Sequence, residues 1–118
     1  MWYSVSQTTL FNNANISFNA SVTLSDTYTN YSKLDIYAIS SDGDCCFVSI
    51  VPSLTTKFTL SANRVVGGVM YAKSKTYSIS GKTISTLNDA GYITNQWASQ
   101  GGQSTGDYIK IIRVVGWK

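Results

Sequence analysis

Apolar and polar positions alternate with a period of two along much of the chain. Ile16, Phe18, Ala20, Val22 and Leu24 alternate strictly with Ser17, Asn19, Ser21, Thr23 and Ser25. That pattern predicts a strand with one face in a core and one toward water. Leu34, Ile36 and Ala38 mark a further strand over Lys33–Ile39, and Cys45–Val51 predicts its return across the turn cluster Ser40–Asp44. Pro52, the only proline, ends it. Phe58 and Leu60 are the inward positions of Lys57–Ser61, and Gly67-Gly68 breaks the chain after Val66. Val69–Ile79 predicts a long strand, turning at Ser80-Gly81 and returning over Lys82–Leu87. That register sets Tyr77 opposite Ile84, an aromatic/β-branched pair. The polar middle of this hairpin, Lys73 to Thr76, predicts a part that projects from the body.

The last twelve residues, Asp107 to Lys118, differ from the rest: they are apolar on both faces. Strict alternation puts Ile109, Ile111, Val115 and Trp117 on one side and Tyr108, Ile112 and Val114 on the other. A strand of this kind is usually central and covered on both sides. A first strand is expected over Trp2–Thr9 and a short one over Tyr92–Thr94. Asn95–Gly106, with three glycines, is expected to be the longest irregular segment, with Trp97 standing alone in it. About eight or nine short strands, with turn residues between them, define one all-β domain spanning residues 1–118. The expected form is an antiparallel β-sandwich, jelly-roll-like, with the last strand central.

Composition agrees with this. Only 13% of residues are charged, against a typical ~25%. The polar surface is built from 17 Ser, 13 Thr and 8 Asn, which suit strands and turns rather than helices. The formal charge of +3 is scattered rather than clustered, so nucleic acid is not an expected partner. No run of 18 apolar residues predicts a membrane-spanning helix, and Met1–Ser6 lacks the basic-then-apolar order of a signal peptide. Cys45 and Cys46 are adjacent; in a strand they point to opposite faces and cannot easily pair with each other.

Catalytic chemistry is poorly supplied. The chain has no His and no Glu, so the commonest general base is missing and every carboxylate is an Asp. Asp42 and Asp44 suit a turn; oxygen ligands at alternate positions could instead begin a weak Ca²⁺ site. No enzyme activity, cofactor or metal is expected. Binding is better supplied. Trp97 lies among Asn95, Gln96, Gln100 and Gln103, an aromatic face with amides that donate and accept, which suits hydroxyl-rich ligands. Tyr28 and Tyr31 form a second candidate pair. The alternatives are that Trp97 folds back on the core and that the two tyrosines pack onto the sandwich end.

The ending Gly106-Asp-Tyr-Ile-Lys-Ile-Ile-Arg-Val-Val-Gly-Trp-Lys118 resembles that of receptor-binding proteins from tail fibres and baseplates of phages and prophages of Gram-positive bacteria. Members often close with Tyr-Ile-x-Ile-x-x-Val-x-Gly-Tyr-Lys; here Trp117 replaces the usual aromatic, and Gly116 and Lys118 match. Trp2-Tyr3-Ser4, Leu24-Ser25 with Asn30-Tyr31, and the Tyr77–Ile84 hairpin are similar as well. The resemblance implies a non-catalytic head domain at the tip of a longer fibre, or of a tail-like bacteriocin. Such a head assembles as a homotrimer, binds a host cell-surface glycan and resides on the virion. It implies no universal binding residues. A structural trimerisation or capsid-fibre decoration module without sugar binding is the alternative, and an accessory domain of a polysaccharide depolymerase is a third.

Overall fold

The computed structural model describes residues 6–87, 94–99 and 102–118, with 94–97 and 102–105 described through their backbone. These residues form ten strands in two antiparallel sheets. The first sheet has the order β1 (Gln7–Asn12), β10 (Ile109–Trp117), β3 (Lys33–Ser40), β4 (Cys45–Ile50). The terminal strand is therefore central, as expected from its apolar run. The second sheet contains β2 (Val22–Thr23), β5 (Lys57–Val66), β6 (Val69–Ser80), β7 (Thr83–Thr86), β8 (Thr94–Ala98) and β9 (Gly102–Thr105). Its axis is β6. One side of β6 pairs with β5 along its length; the other pairs with β7 near Ser80 and with β8 over Tyr71–Lys75.

The two sheets face each other over a core of aliphatic side chains. Leu34, Ile36, Ile109 and Val114 of the first sheet are fully buried against Leu60, Ile84 and Tyr77 of the second. Phe58 and Tyr77 stack at 5.5 Å between centroids. This burial is the main force that joins the sheets.

Several expectations need correction. The register of β10 against β3 shifts between Ile111 and Arg113, so Ile112 is a bulge. An extra residue flips the parity of everything after it. Ile109 and Ile111 face the core, but so does Val114, while Val115 and Trp117 stand on the outer face rather than with Ile109. That face is buried at Val115 and Asp35 but open at Tyr37 and Phe47, so the expected cover on both sides holds over only part of it. In residues 16–25 only Val22 and Thr23 pair, with Ile84 and Thr83; before them the chain turns, the Ala20 N–H donating to the Ser17 carbonyl at 3.2 Å. The alternation of burial nevertheless persists from Ile16 to Ser25, so the pattern marks packing rather than a ladder.

The β6–β7 turn is Gly81-Lys82, since Ser80 pairs with Thr83. Gly81 has φ +57°, which suits the first position of a tight hairpin loop. Ile79, not Tyr77, therefore faces Ile84, and Tyr77 faces Thr86. The slip is two residues, so the faces are kept. Asn95–Gly106 is not an irregular segment: it holds β8 and β9, a hairpin beside β6. Lys73 and Lys75 do not project into water; they are 3% and 1% exposed. Lys73 Nζ is paired with Asp42, and Lys75 Nζ with Asp107 at 3.0 Å and the Phe18 carbonyl at 2.7 Å. The first strand begins at Gln7; Trp2–Val5 and Tyr92–Ile93 lie outside the described residues.

Candidate ligand-binding site

The Asp26–Ser32 loop is tied by one carboxylate. Asp26 accepts hydrogen bonds from the Thr27 backbone N–H at 2.8 Å, Asn30 Nδ2 at 3.0 Å and Tyr31 Oη at 3.0 Å. These donors, the Thr27 N–H foremost, hold its carboxyl below the ordinary value. A single 3₁₀ turn over Tyr28–Asn30 follows, and it lowers the Tyr31 ring onto β10. There is space for that ring because residue 116 is glycine: a Cβ on Gly116 would lie 2.5 Å from Tyr31 Cδ1. Ser32 Oγ then donates to the Trp117 carbonyl at 3.0 Å.

Opposite this loop, the chain leaves β4 at Val51 and turns at Pro52–Leu54, closed by the Leu54 N–H to the Val51 carbonyl at 2.9 Å. Between the loops lies an open groove of about 360 Å³, lined by Thr29, Tyr31, Ser32, Val51, Pro52 and Ser53. Its apolar part is the Tyr31 ring, Pro52 and Val51. Three hydroxyl-bearing residues stand around them. The Lys118 ammonium lies 5.4 Å from the Tyr31 centroid.

The outer face of the first sheet adjoins the groove through Lys33 and Trp117, which are register partners. Trp117 Nε1 donates to Asp35 Oδ2 at 2.8 Å, and Ser49 Oγ donates to Asp35 Oδ1 at 2.8 Å. Farther along, Tyr37 and Phe47 pack at 5.0 Å with a 50° tilt, and the Arg113 guanidinium lies 5.8 Å from Tyr37. Rings so tilted make an uneven surface, not a flat stacking platform.

The sequence-predicted residues divide in consequence. Tyr31 is 6% exposed; it is a wall of the groove and not an exposed loop aromatic, so it cannot present a free face for stacking. Tyr28 is half-buried and packs on the core. Packing on the sandwich end thus describes both tyrosines. Asn95, Gln96 and Trp97 lie in β8, where Trp97 shares a register row with Ala72 and Gln103 of β9. Gln100 lies outside the described residues. The backbone of β8 runs beside Tyr71–Lys75 of β6, whereas the groove lies between the Asp26–Ser32 loop and the turn after β4. Asp42 and Asp44 are held by cations: Asp42 by Lys73, and Asp44 by Arg64 Nε at 3.1 Å. No group of three or more metal-ligating side chains occurs among the described residues. Thr29, Ser32, Pro52 and Ser53 were not singled out by sequence; only the strand-ending proline hinted at a shaped loop there.

The groove combines apolar and hydroxyl-bearing side chains. Five aspartates are described, and each is engaged: Asp26 by its loop, Asp35 by Trp117, and Asp42, Asp44 and Asp107 by cations. The groove hydroxyls have no histidine to activate them. No family profile matches the chain, and no curated protein shows detectable similarity to it.

Proposed function

We propose that this domain is a non-catalytic receptor-binding head that takes host cell-surface carbohydrate at the tip of a phage tail fibre or tail-like bacteriocin, acting as a homotrimer. The observation that carries the reading is the groove between Thr29 and Ser53. Its volume, about 360 Å³, sits at the low end of the ~300–1,000 Å³ range of small-ligand sites. Val51 and Pro52 offer apolar surface that suits the C–H face of a sugar ring, and surrounding hydroxyls can donate to and accept from its own. A shallow site of this kind binds weakly, and linked copies on one fibre multiply the avidity. The ending motif supports the fibre setting by resemblance.

A glycan array and adsorption to host cells test the reading. The intact domain is expected to adsorb, and Ser53→Trp, which fills the groove, is expected to weaken adsorption by about tenfold or more, equivalent to ~1.4 kcal/mol. Absence of adsorption by the intact domain would remove the function. Full adsorption by Ser53→Trp with loss in Trp97→Ala would move the site to β8. Release of reducing sugar from host cell wall would replace a binder with a depolymerase component. A purely structural assembly module is the second reading, favoured by Val65, Val66 and Met70, which are exposed at the end of the β5–β6 hairpin.

A further inference from the structure

The groove between the Asp26–Ser32 loop and the turn after β4 does not end at Ser53. A second depression of about 410 Å³ begins there, lined by Pro52, Ser53, Leu54, Thr55, Thr56 and Lys57. Pro52 and Ser53 line both, so the two adjoin across one turn of the chain. That turn is held by its own hydrogen bonds. The Val51 carbonyl accepts from the N–H of Leu54 at 2.9 Å and of Thr55 at 3.3 Å. Thr55 Oγ1 accepts from the Lys57 N–H at 3.1 Å and donates to the Lys57 carbonyl at 3.0 Å. The Thr56 carbonyl accepts from the Ile79 N–H of β6 at 2.9 Å. A surface fixed in this way needs little ordering when a ligand arrives.

The second depression repeats the chemistry of the first. Pro52 and Leu54 are its apolar members, and Leu54 is 81% exposed. The hydroxyls of Ser53 and Thr56 have no hydrogen-bond partner among the described residues. Lys57 adds a donor-only ammonium, and no carboxylate among the described residues lies within ion-pair distance of it. Apolar surface flanked by hydroxyls thus occurs twice in succession, with Pro52 and Ser53 common to both. A single sugar ring seated in one depression leaves the other to water. A chain of like units meets like surfaces in both.

We propose that carbohydrate is taken here as a chain of at least two consecutive units, one in the groove between Thr29 and Ser53 and the next beside Thr56 and Lys57, across the Pro52–Ser53 turn. The inference rests on the carbohydrate part of the function proposed above and narrows its substrate class to an oligosaccharide segment rather than a single sugar. Size agrees with this division. The depressions are similar, about 360 and about 410 Å³, and each falls at the low end of the ~300–1,000 Å³ range of small-ligand sites. Lys57 strengthens the hold on the second unit, because hydrogen bonds from an ammonium to oxygen are stronger than those between neutral groups. A second unit joined to a bound first one docks without a second loss of translational freedom, so affinity rises steeply with its addition.

Titration calorimetry of the full chain tests this, with one-, two- and three-unit fractions from a partial acid hydrolysate of host cell-wall polysaccharide as the probe. The wild-type protein is expected to bind two units about tenfold or more tighter than one. Thr56→Trp, which fills the second depression, is expected to remove that gain and leave one-unit binding as it was. Thr56 is exposed, so the circular dichroism spectrum should not change. Lys57→Gln is expected to weaken two-unit binding by about fivefold, and it alone decides if Thr56→Trp fails to fold. Equal affinity for one unit and two overturns this inference and leaves the carbohydrate reading in place. A length gain that survives both substitutions likewise overturns it. Loss of one-unit binding in Thr56→Trp would make the two depressions a single site and overturn it as well. Binding of no fraction removes the carbohydrate function, and this inference with it.

Discussion

Gly116 lies beneath the ring of Tyr31, so closely that a Cβ there would stand 2.5 Å from Cδ1 and 2.7 Å from Cγ of the ring, and 2.9 Å from Leu10 Cδ1. The ring cannot yield: its hydroxyl is fixed to Asp26 and it is buried. This contact couples the Asp26–Ser32 loop to the central strand and forms one wall of the groove. It also gives a physical reason for glycine in the chain's ending. Gly116→Ala is expected to destabilise the fold by about 1–3 kcal/mol through overpacking, lowering Tm by about 4–12 °C. Thermal unfolding by circular dichroism reads this directly, and an unchanged Tm would mean that the ring is not held as described.

Lys75 is the second joint between the sheets. Its ammonium, on β6, reaches Asp107 at 3.0 Å, the Phe18 carbonyl at 2.7 Å and the Ile109 carbonyl at 3.4 Å. A buried cation needs these partners, since desolvation otherwise dominates. Asp107→Ala is expected to cost about 1.5–3 kcal/mol, the range for hydrogen bonds to charged groups. In a Lys75→Met background the same change should cost far less, because no charge is left to orphan. Urea denaturation of the four proteins of this cycle measures the coupling. Equal costs in the two backgrounds would show that the pair is not coupled.

Acid should weaken the fold through named carboxylates. The Asp42 carboxyl is held below its ordinary 3.8 by the hydrogen bond from Lys73, and that of Asp26 by the Thr27 N–H and then the Tyr31 hydroxyl. A depressed folded value stabilises above the unfolded pKa, and the contribution fades as pH falls through the folded value. The urea midpoint is thus expected to hold from neutrality down to about the ordinary carboxylate range, then fall below pH 3.8. Asp42→Asn should flatten part of that fall. The phenols act at the other limit. Burial raises Tyr77 and Tyr31, and Asp26 raises Tyr31 further. Their contribution is present below the ordinary value of 10.0 and is lost as pH rises through the folded values. A midpoint constant from pH 7 to pH 2.5 would contradict the Asp42 and Asp26 assignments.

How far the sequence went can be read from single residues. Leu34, Ile36 and Ala38 on β3 and the double-faced run of β10 gave the sandwich and its central strand, because two-residue periodicity is the physical signature of a half-buried sheet. The bulge at Ile112 was not legible: nothing in Ile-Ile-Arg announces an unpaired residue, and the cost was the wrong face for Val115 and Trp117. Lys73 and Lys75 looked like solvent-facing positions, since a lysine is buried only when partners distant in sequence come to it, here Asp42 and Asp107. The groove was hidden for the same reason. Thr29 and Ser53 become neighbours only when Tyr31 seats on Gly116, and no local pattern encodes that meeting. Trp97 was misplaced because the surrounding glycines resemble a loop, whereas Gly102 begins a strand paired to Ala98.

Cys45 and Cys46 test the outermost strand of the first sheet. They are consecutive on β4, so they face opposite sides: Cys45 is exposed, and Cys46 packs against the core. Burial, and secondarily the neighbouring Cys45 and Asp44, pushes the Cys46 thiol up to about 11. The thiolate is the reactive form, and at pH 8 a group with that value is ionised to about one part in a thousand. Ellman's reagent is therefore expected to modify one thiol rapidly in the native protein and two in urea. Cys45→Ser should abolish the fast phase, and Cys46→Ser should leave it intact. Two native thiols reacting at one rate would place Cys46 on the surface. That result would contradict the inward placement of Cys46, and with it the packing of β4 on the core.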